Sequence, residues 1–158
     1  MPSEILNLLY SGDQVAARKL AREIPLLDIF EASALGALEQ VIERCEEDAA
    51  APQALSDDGW TPLHLAAFFG SNETVKELLR RHAPIDAHSA NAMRVTALQS
   101  ACAGDHTLVV ATLVAKNADV NAEQEGGFRA LDTAYDNGNA EIIELLESVG
   151  ALRGNPST

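Results

Sequence analysis

The stretch TPLHLAAFFGS, residues 61–71, decides the fold. Thr61 suits a helix N-cap, where its side-chain oxygen accepts an otherwise orphaned amide of the first turn. Pro62 fits the first helical position, because its φ is already helical and its missing N–H would have had no partner. Ala66 and Ala67 let a second helix approach closely. Gly70, only two turns on, suits a left-handed residue that stops the helix. The segment predicts a short helix with a built-in stop. Phe68 and Phe69 play no part in that local grammar, so they become the first candidates for function.

The same grammar returns along the chain. TALQSACAGDH (96–106) and RALDTAYDNGN (129–139) align with it, and LDIFEASALGA (27–37) precedes it. Gly36, Gly70, Gly104 and Gly138 fall 34 apart, which suggests a perfect period. Alignment on the helix starts gives a different register. Its turn column holds Gly36, Gly70, Asp105 and Gly138, spaced 34, 35 and 33. A second column, Asp48, His82, Asn117 and Gly150, repeats those spacings. Gly, Asn, Asp and His are the residues that best tolerate positive φ, so this column is expected to stop the second helix of each unit. Those second helices carry apolar residues at helical spacing: Val41 with Cys45, Val75 with Leu78 and Leu79, Val109 with Leu113 and Val114, Ile142 with Leu145 and Leu146. ILNLLYSGDQVAARKLA (5–21) predicts one more helix pair, turning at Gly12, and RGNPST (153–158) a disordered tail.

Composition bounds the function. Aromatics make up only 4% of 158 residues against 47% hydrophobic, so the core is aliphatic and suited to close helix packing. One domain is expected at this length. No apolar run reaches about 18 residues, so no membrane span is predicted. The N-terminus MPSEILNLLYSGD lacks a basic region followed by an apolar one, so no signal peptide is expected. Cys45 and Cys102 cannot form a disulfide framework, which fits a reducing, cytoplasmic setting. The net charge of −13 argues against nucleic acid and anionic membrane as partners.

Reactive chemistry is sparse. Cys45 lies on an apolar helix face and Cys102 stands between helices, so both read as core thiols. His82, Asp86 and His88 have no spacing that would fix a metal geometry. The pair of acids in Ser56-Asp57-Asp58-Gly59 suits a turn better than acid–base catalysis, which needs a water-excluding pocket. No phosphate-binding glycine loop, nucleophile elbow or helical metal-ligand pair occurs. The chain is therefore read as a non-enzyme without cofactor or metal. Glu141, Glu144 and Glu147 share one face of the last helix and are expected to be solvated.

DGWTPLHLAAFFGSNETVKELLRRHAPIDA (58–87) resembles the ankyrin repeat almost throughout, including its T-P-L-H-x-A core, and NADVNA (117–122) resembles the start of that family's hairpin. The later units depart from it: Ala97 and Ala130 replace Pro, Gln99 and Asp132 replace His, and Arg129 replaces Thr. The resemblance implies an all-α solenoid of stacked helix-turn-helix units with β-hairpin-like connecting loops, in one domain over 1–158. Its divisions would be an N-terminal capping pair (3–25), a divergent repeat (27–60), repeats at 61–95 and 96–128, a C-terminal capping repeat (129–152) and the tail. It also implies that His64 hydrogen-bonds backbone between hairpins, with His106 structural at a helix start and His82 at a helix end.

For function the resemblance implies protein binding through the hairpin tips and the concave face of the first helices. The family's contact positions fall on Asp57, Asp58, Trp60, Phe68 and Phe69 in one repeat. In the next they are Met93, Arg94, Val95, Ala103 and Gly104, and in the last Glu125, Phe128, Asp136 and Asn137, with Tyr135 adjacent. Five of the seven aromatics lie in or beside this set. They either line a recognition surface or cover the gap between neighbouring repeats. The connection IDAHSANAMRV is two residues longer than the usual unit and carries Met93 and Arg94 near its tip. A monomer that binds a basic segment bearing an apolar anchor is the expected mode, with self-assembly the alternative.

Overall fold

The computed structural model describes residues 3–154. Five helix pairs follow one another: α1 (Glu4–Tyr10) and α2 (Gln14–Ala21), α3 (Ile29–Leu35) and α4 (Leu38–Glu47), α5 (Pro62–Phe68) and α6 (Asn72–Arg80), α7 (Ala97–Ala103) and α8 (Thr107–Ala115), α9 (Ala130–Asn137) and α10 (Ala140–Ser148). Among the described residues there is no β-strand. The inner helices α3, α5, α7 and α9 stack in order, and α4, α6, α8 and α10 stack behind them. The architecture is an all-α ankyrin-type solenoid.

Local chemistry sets each inner helix. Thr61 caps α5, its Oγ1 accepting the His64 N–H at 3.3 Å, and Thr96 caps α7 by accepting from Gln99. Asp28 caps α3 in a reciprocal box with Glu31. Seven or eight residues cannot hold a helix in water by propensity alone, so packing must stabilise them. Ala66, Ala67, Ala101 and Cys102 are fully buried where α5 and α7 meet, small enough for the two backbones to approach closely. Fully buried Val41, Val75, Leu78, Val109, Leu113, Ile142 and Leu146 supply the apolar layer from the second helices.

The turn columns settle the register. Gly36, Gly70, Asp105 and Gly138 all have positive φ, whereas Gly104 has φ −79. The glycine period of 34 is thus broken at Gly104, as alignment on the helix starts requires. His82, Asn117 and Gly150 also have positive φ. Asp48 does not, and the helix-stop expectation is corrected there. Its φ is −137, and its carboxylate accepts the Ala50 N–H at 2.9 Å while the chain turns into a 3-10 segment at Ala51–Gln53. The Asp48 N–H still donates to Arg44 O at 3.0 Å to end the helix, and the side chain closes the turn that follows.

The tail is also corrected in part. Arg153 Nε and Gly154 N donate to Asp132 at 2.9 and 2.7 Å, so these two residues are held against α9. Residues 155–158 lie outside the described range.

Candidate functional site

Three loops precede inner helices. Two close tightly, Ser56 N–H to Trp60 O and Gln124 N–H to Phe128 O, both at 2.9 Å. The middle one closes from Ser89 N–H to Val95 O at 2.8 Å and is two residues longer. The loops also bond to one another, Ala90 N–H to Gly59 O and Glu125 N–H to Met93 O at 2.8 and 3.0 Å. Their tips are therefore a continuous row.

Side chains at the third helical position tie this row to the helices. His64 Nε2 donates to Val95 O at 2.8 Å, and its Nδ1 lies 2.7 Å from Thr61 Oγ1. Val95 O can only accept, which fixes the proton on Nε2 and makes Nδ1 the acceptor of the Thr61 hydroxyl. Burial pushes the imidazole pKa below its usual range, so the ring is neutral in this role. Gln99 repeats the link, donating to Ala122 O and Phe128 O at 3.1 and 3.3 Å. Asp132 reverses it. As an acceptor it takes the Arg129 and Gly154 N–H groups and Arg153 Nε. Burial works to raise this carboxyl, but those bonds and the Arg153 charge outweigh it and hold the group below the usual carboxylate range.

Between the loops and the inner helices lies a hollow of about 320 Å³, lined mostly by carbon. Its origin is a step in side-chain size. Where α5 presents Leu65 and Phe68, α7 presents Ser100 and Ala103 at the equivalent positions of the register. Thr133 of α9, Met93, Val95 and Gln124 of the loops, and Tyr10, Trp60, His64 and Gln99 complete the wall.

The expected contact residues divide accordingly. Trp60, Phe68 and Met93 line the hollow; Trp60 is half-buried with its ring 5.8 Å from that of His64, while Phe68 and Met93 are exposed. Phe69 turns away. It meets Phe68 edge-on at 5.1 Å and stacks on Tyr10 at 6.0 Å, packing the N-terminal pair against the solenoid. The Phe pair thus splits, one ring to the groove and one towards the core. Asp58 accepts the Ser56 and Tyr10 hydroxyls at 2.6 and 3.2 Å, so its carboxylate holds the loop. Asp57, Arg94, Glu125, Phe128 and Asp136 are exposed, Arg94 in left-handed backbone with φ 50. Tyr135 is elsewhere. It occupies the register of Ala67 and Cys102, which face the next repeat, and there its hydroxyl donates to Glu147 at 2.6 Å while Arg153 lies over its ring at 4.8 Å.

Sequence reasoning missed Tyr10, Ser100, Gln124 and Thr133. Ser100 and Thr133 could have been found, since they stand in the register of Leu65; Tyr10 lies outside the repeat register and carries no such signal. Both thiols are buried, Cys102 pushed up to about 12 and Cys45 raised as well, chiefly by burial, so neither is a ready nucleophile. Asp86 accepts from Asp119 N–H at 2.8 Å and His88 pairs with Glu123 O at 3.1 Å. Among the described residues no helix is long and apolar enough to cross a membrane.

A family profile for ankyrin repeats, in three copies, matches residues 29–124. The chain is similar to mouse ankyrin repeat and SAM domain-containing protein 6, 32% identical over 136 residues, which cover 82% of this chain and 15% of that protein. It is 32% identical over 94 residues to the probable 26S proteasome regulatory subunit p28 of Saccharomyces cerevisiae, covering 60% and 41% of the two. It is 38% identical over 87 residues to alpha-latrocrustotoxin-Lt1a of Latrodectus tredecimguttatus, covering 55% and 6%. It spans less than half the length of each of these relatives.

Proposed function

Because the chain belongs to the ankyrin-repeat family, whose repeats are generally protein–protein interaction modules and typically not enzymes, we propose that it binds or inhibits a partner protein through its concave face and loop tips. The observation that carries this reading is the apolar hollow beneath the loop tips. Phe68 and Met93 offer exposed apolar surface, while Glu125, next in sequence to Gln124 of the wall, and Asp136, one helical turn from Thr133, are exposed acids. Large apolar side chains in a partly enclosed setting are the usual anchors of interfaces. The exposed acids favour a basic partner segment and speed its encounter at low salt. The protein acts as a cytoplasmic monomer in this reading, consistent with two free buried thiols. Nucleic acid and membrane are not its partners, given the charge of −13.

One observation favours the alternative of self-assembly. Helix α2 carries exposed Arg18 and Lys19 with exposed Val15, a basic and apolar segment on an acidic protein. Light scattering over a concentration series separates the readings, since self-assembly requires mass to rise with concentration.

The test of the binding face is selection of a random peptide library on the full chain, followed by mapping of the selected peptides by amide shifts. Basic peptides with an apolar residue should win, and shifts should cluster at 57–60, 68, 93–94, 100–103 and 124–128. Clustering on α6 and α8 instead would overturn the proposal.

A further inference from the structure

Resting on the concave-face reading, we infer that the hollow is a single-residue subsite: it takes one long aliphatic or aromatic side chain of a basic peptide segment, and Ala103 sets the size it admits. The hollow measures about 320 Å³. That is the lower end of small-molecule pockets, typically about 300–1,000 Å³, and too small for a folded element. Its floor is Ser100 and Ala103, and its sides are Phe68, Trp60 and Met93, so the interior rewards carbon. Gln124 adds an amide to the lining, a group able to hydrogen-bond a peptide backbone.

The charge around the mouth commits the occupant to a basic segment. Glu125 adjoins Gln124 of the wall in sequence and Asp136 lies one helical turn from Thr133, both exposed, and Arg94 is the base at the long loop. An acidic segment would meet like charge on two sides. Ala103 is the controlling position because it stands where α5 has Phe68 and α9 has Asp136. It is exposed on the groove, so a larger side chain there fills the hollow without entering the core.

The experiment uses the full chain and acetylated, amidated peptides KKGXGKK with X as glycine, alanine, leucine or tryptophan. Amide shifts report the site, and Trp60, the only tryptophan, reports occupancy by the leucine peptide through its fluorescence. The leucine and tryptophan peptides should bind about tenfold or more tightly than the alanine peptide, shifting the Ser100, Ala103 and Gln124 amides. Ala103→Leu should abolish that preference while leaving the weak salt-sensitive binding common to all four. Met93→Ala, an exposed change, should reduce the preference and guards against a folding defect in Ala103→Leu. Equal binding of all four peptides, or a preference unchanged in both variants, overturns the subsite while the groove stands. Peptide shifts confined to the outer helices, or none at all, overturn the concave-face reading and the subsite with it.

Discussion

Gly70 and Gly150 share a backbone conformation but not a neighbourhood, and that pair allows a clean test of the packing. Both have positive φ, 78 and 82, where an L side chain is strained by about 1–2 kcal/mol. Alanine recovers part of this by stiffening the unfolded chain, typically by about 0.4–1 kcal/mol. The net cost of Gly150→Ala should be about 1 kcal/mol, because a Cβ there meets nothing within 4 Å. At Gly70 a Cβ would sit 2.5 Å from Nδ1 of His106 and 2.6 Å from Cε1. The other edge of the ring lies close to Gly104, where an added Cβ would come within 2.7 Å, so the half-buried imidazole has to shift to admit a methyl at position 70. Overpacking of that kind adds about 1–3 kcal/mol, for a total of about 2–4 kcal/mol. At this chain length each kcal/mol moves Tm by about 2–4 °C. Gly150→Ala should lower Tm by a few degrees and Gly70→Ala by two to three times as much, with urea midpoints moving in parallel at constant slope. His106→Ala combined with Gly70→Ala should restore most of the difference as a coupling energy. Equal shifts for the two single variants, or no coupling, would refute the clash with His106.

Three further outcomes follow from the same geometry. His64 has a depressed pKa, so the folded state binds fewer protons than the unfolded one below the ordinary value of 6.5; its contribution is complete above that value and is lost as pH falls through the folded pKa. The pH dependence of urea stability between about 5 and 7 should therefore flatten in His64→Gln, which keeps a donor as Gln99 does. Asp132→Asn removes the charge that holds Arg153 and weakens the bond to Gly154, which should cost about 1–2 kcal/mol and speed hydrogen exchange at the Gly154 amide. Deleting residues 3–25 removes buried Ile5, Leu6 and Leu9 and bares Phe69, so light scattering should show aggregation; a monomer with an unchanged melting curve contradicts the capping assignment.

Much of the fold was legible because it depends on local chemistry. A Thr followed at the third position by His or Gln caps a helix from within, and the turn residues at positive φ need no distant partner. The choice of Asp105 over Gly104 could be read from the helix starts for that reason. Asp48 misled because an aspartate both tolerates left-handed backbone and, from extended backbone, closes a turn by accepting the N–H two residues on, and sequence does not rank the two. The binding positions were less legible. Phe68 and Phe69 are adjacent, so they point about 100° apart around the helix axis and cannot both face one groove. Tyr10 reaches Asp58 across 48 residues of sequence, a contact that no local pattern encodes. Tyr135 sits in the register of buried Cys102, and Arg153 lies against its ring.

The 96–128 repeat, one of those that depart from the family pattern, supplies the small residues under the hollow, and its neighbour explains how it can. The 61–87 repeat keeps the motif, and its His64 donates to Val95 O at the base of the long loop. That bond fixes the wall from the preceding repeat, so the 96–128 repeat is free to lower the floor with Ser100 and Ala103. The two extra loop residues then raise the opposite side with Met93, which stays anchored through its carbonyl to Glu125 N–H. Floor and wall are separable in this arrangement. Deleting Ala92 and Met93 together should give the 89–95 loop the length of the one closed by Gln124 and Phe128, removing two exposed side chains and the bond from Glu125 N–H to the Met93 carbonyl, at a cost of about 1 kcal/mol. The same deletion should remove the preference for a large apolar residue as effectively as Ala103→Leu does. A melting point lowered by more than about 5 °C, on the order of 1–2 kcal/mol at this length, would show that the longer loop supports the stack itself, and that the hollow is a by-product of how these repeats pack.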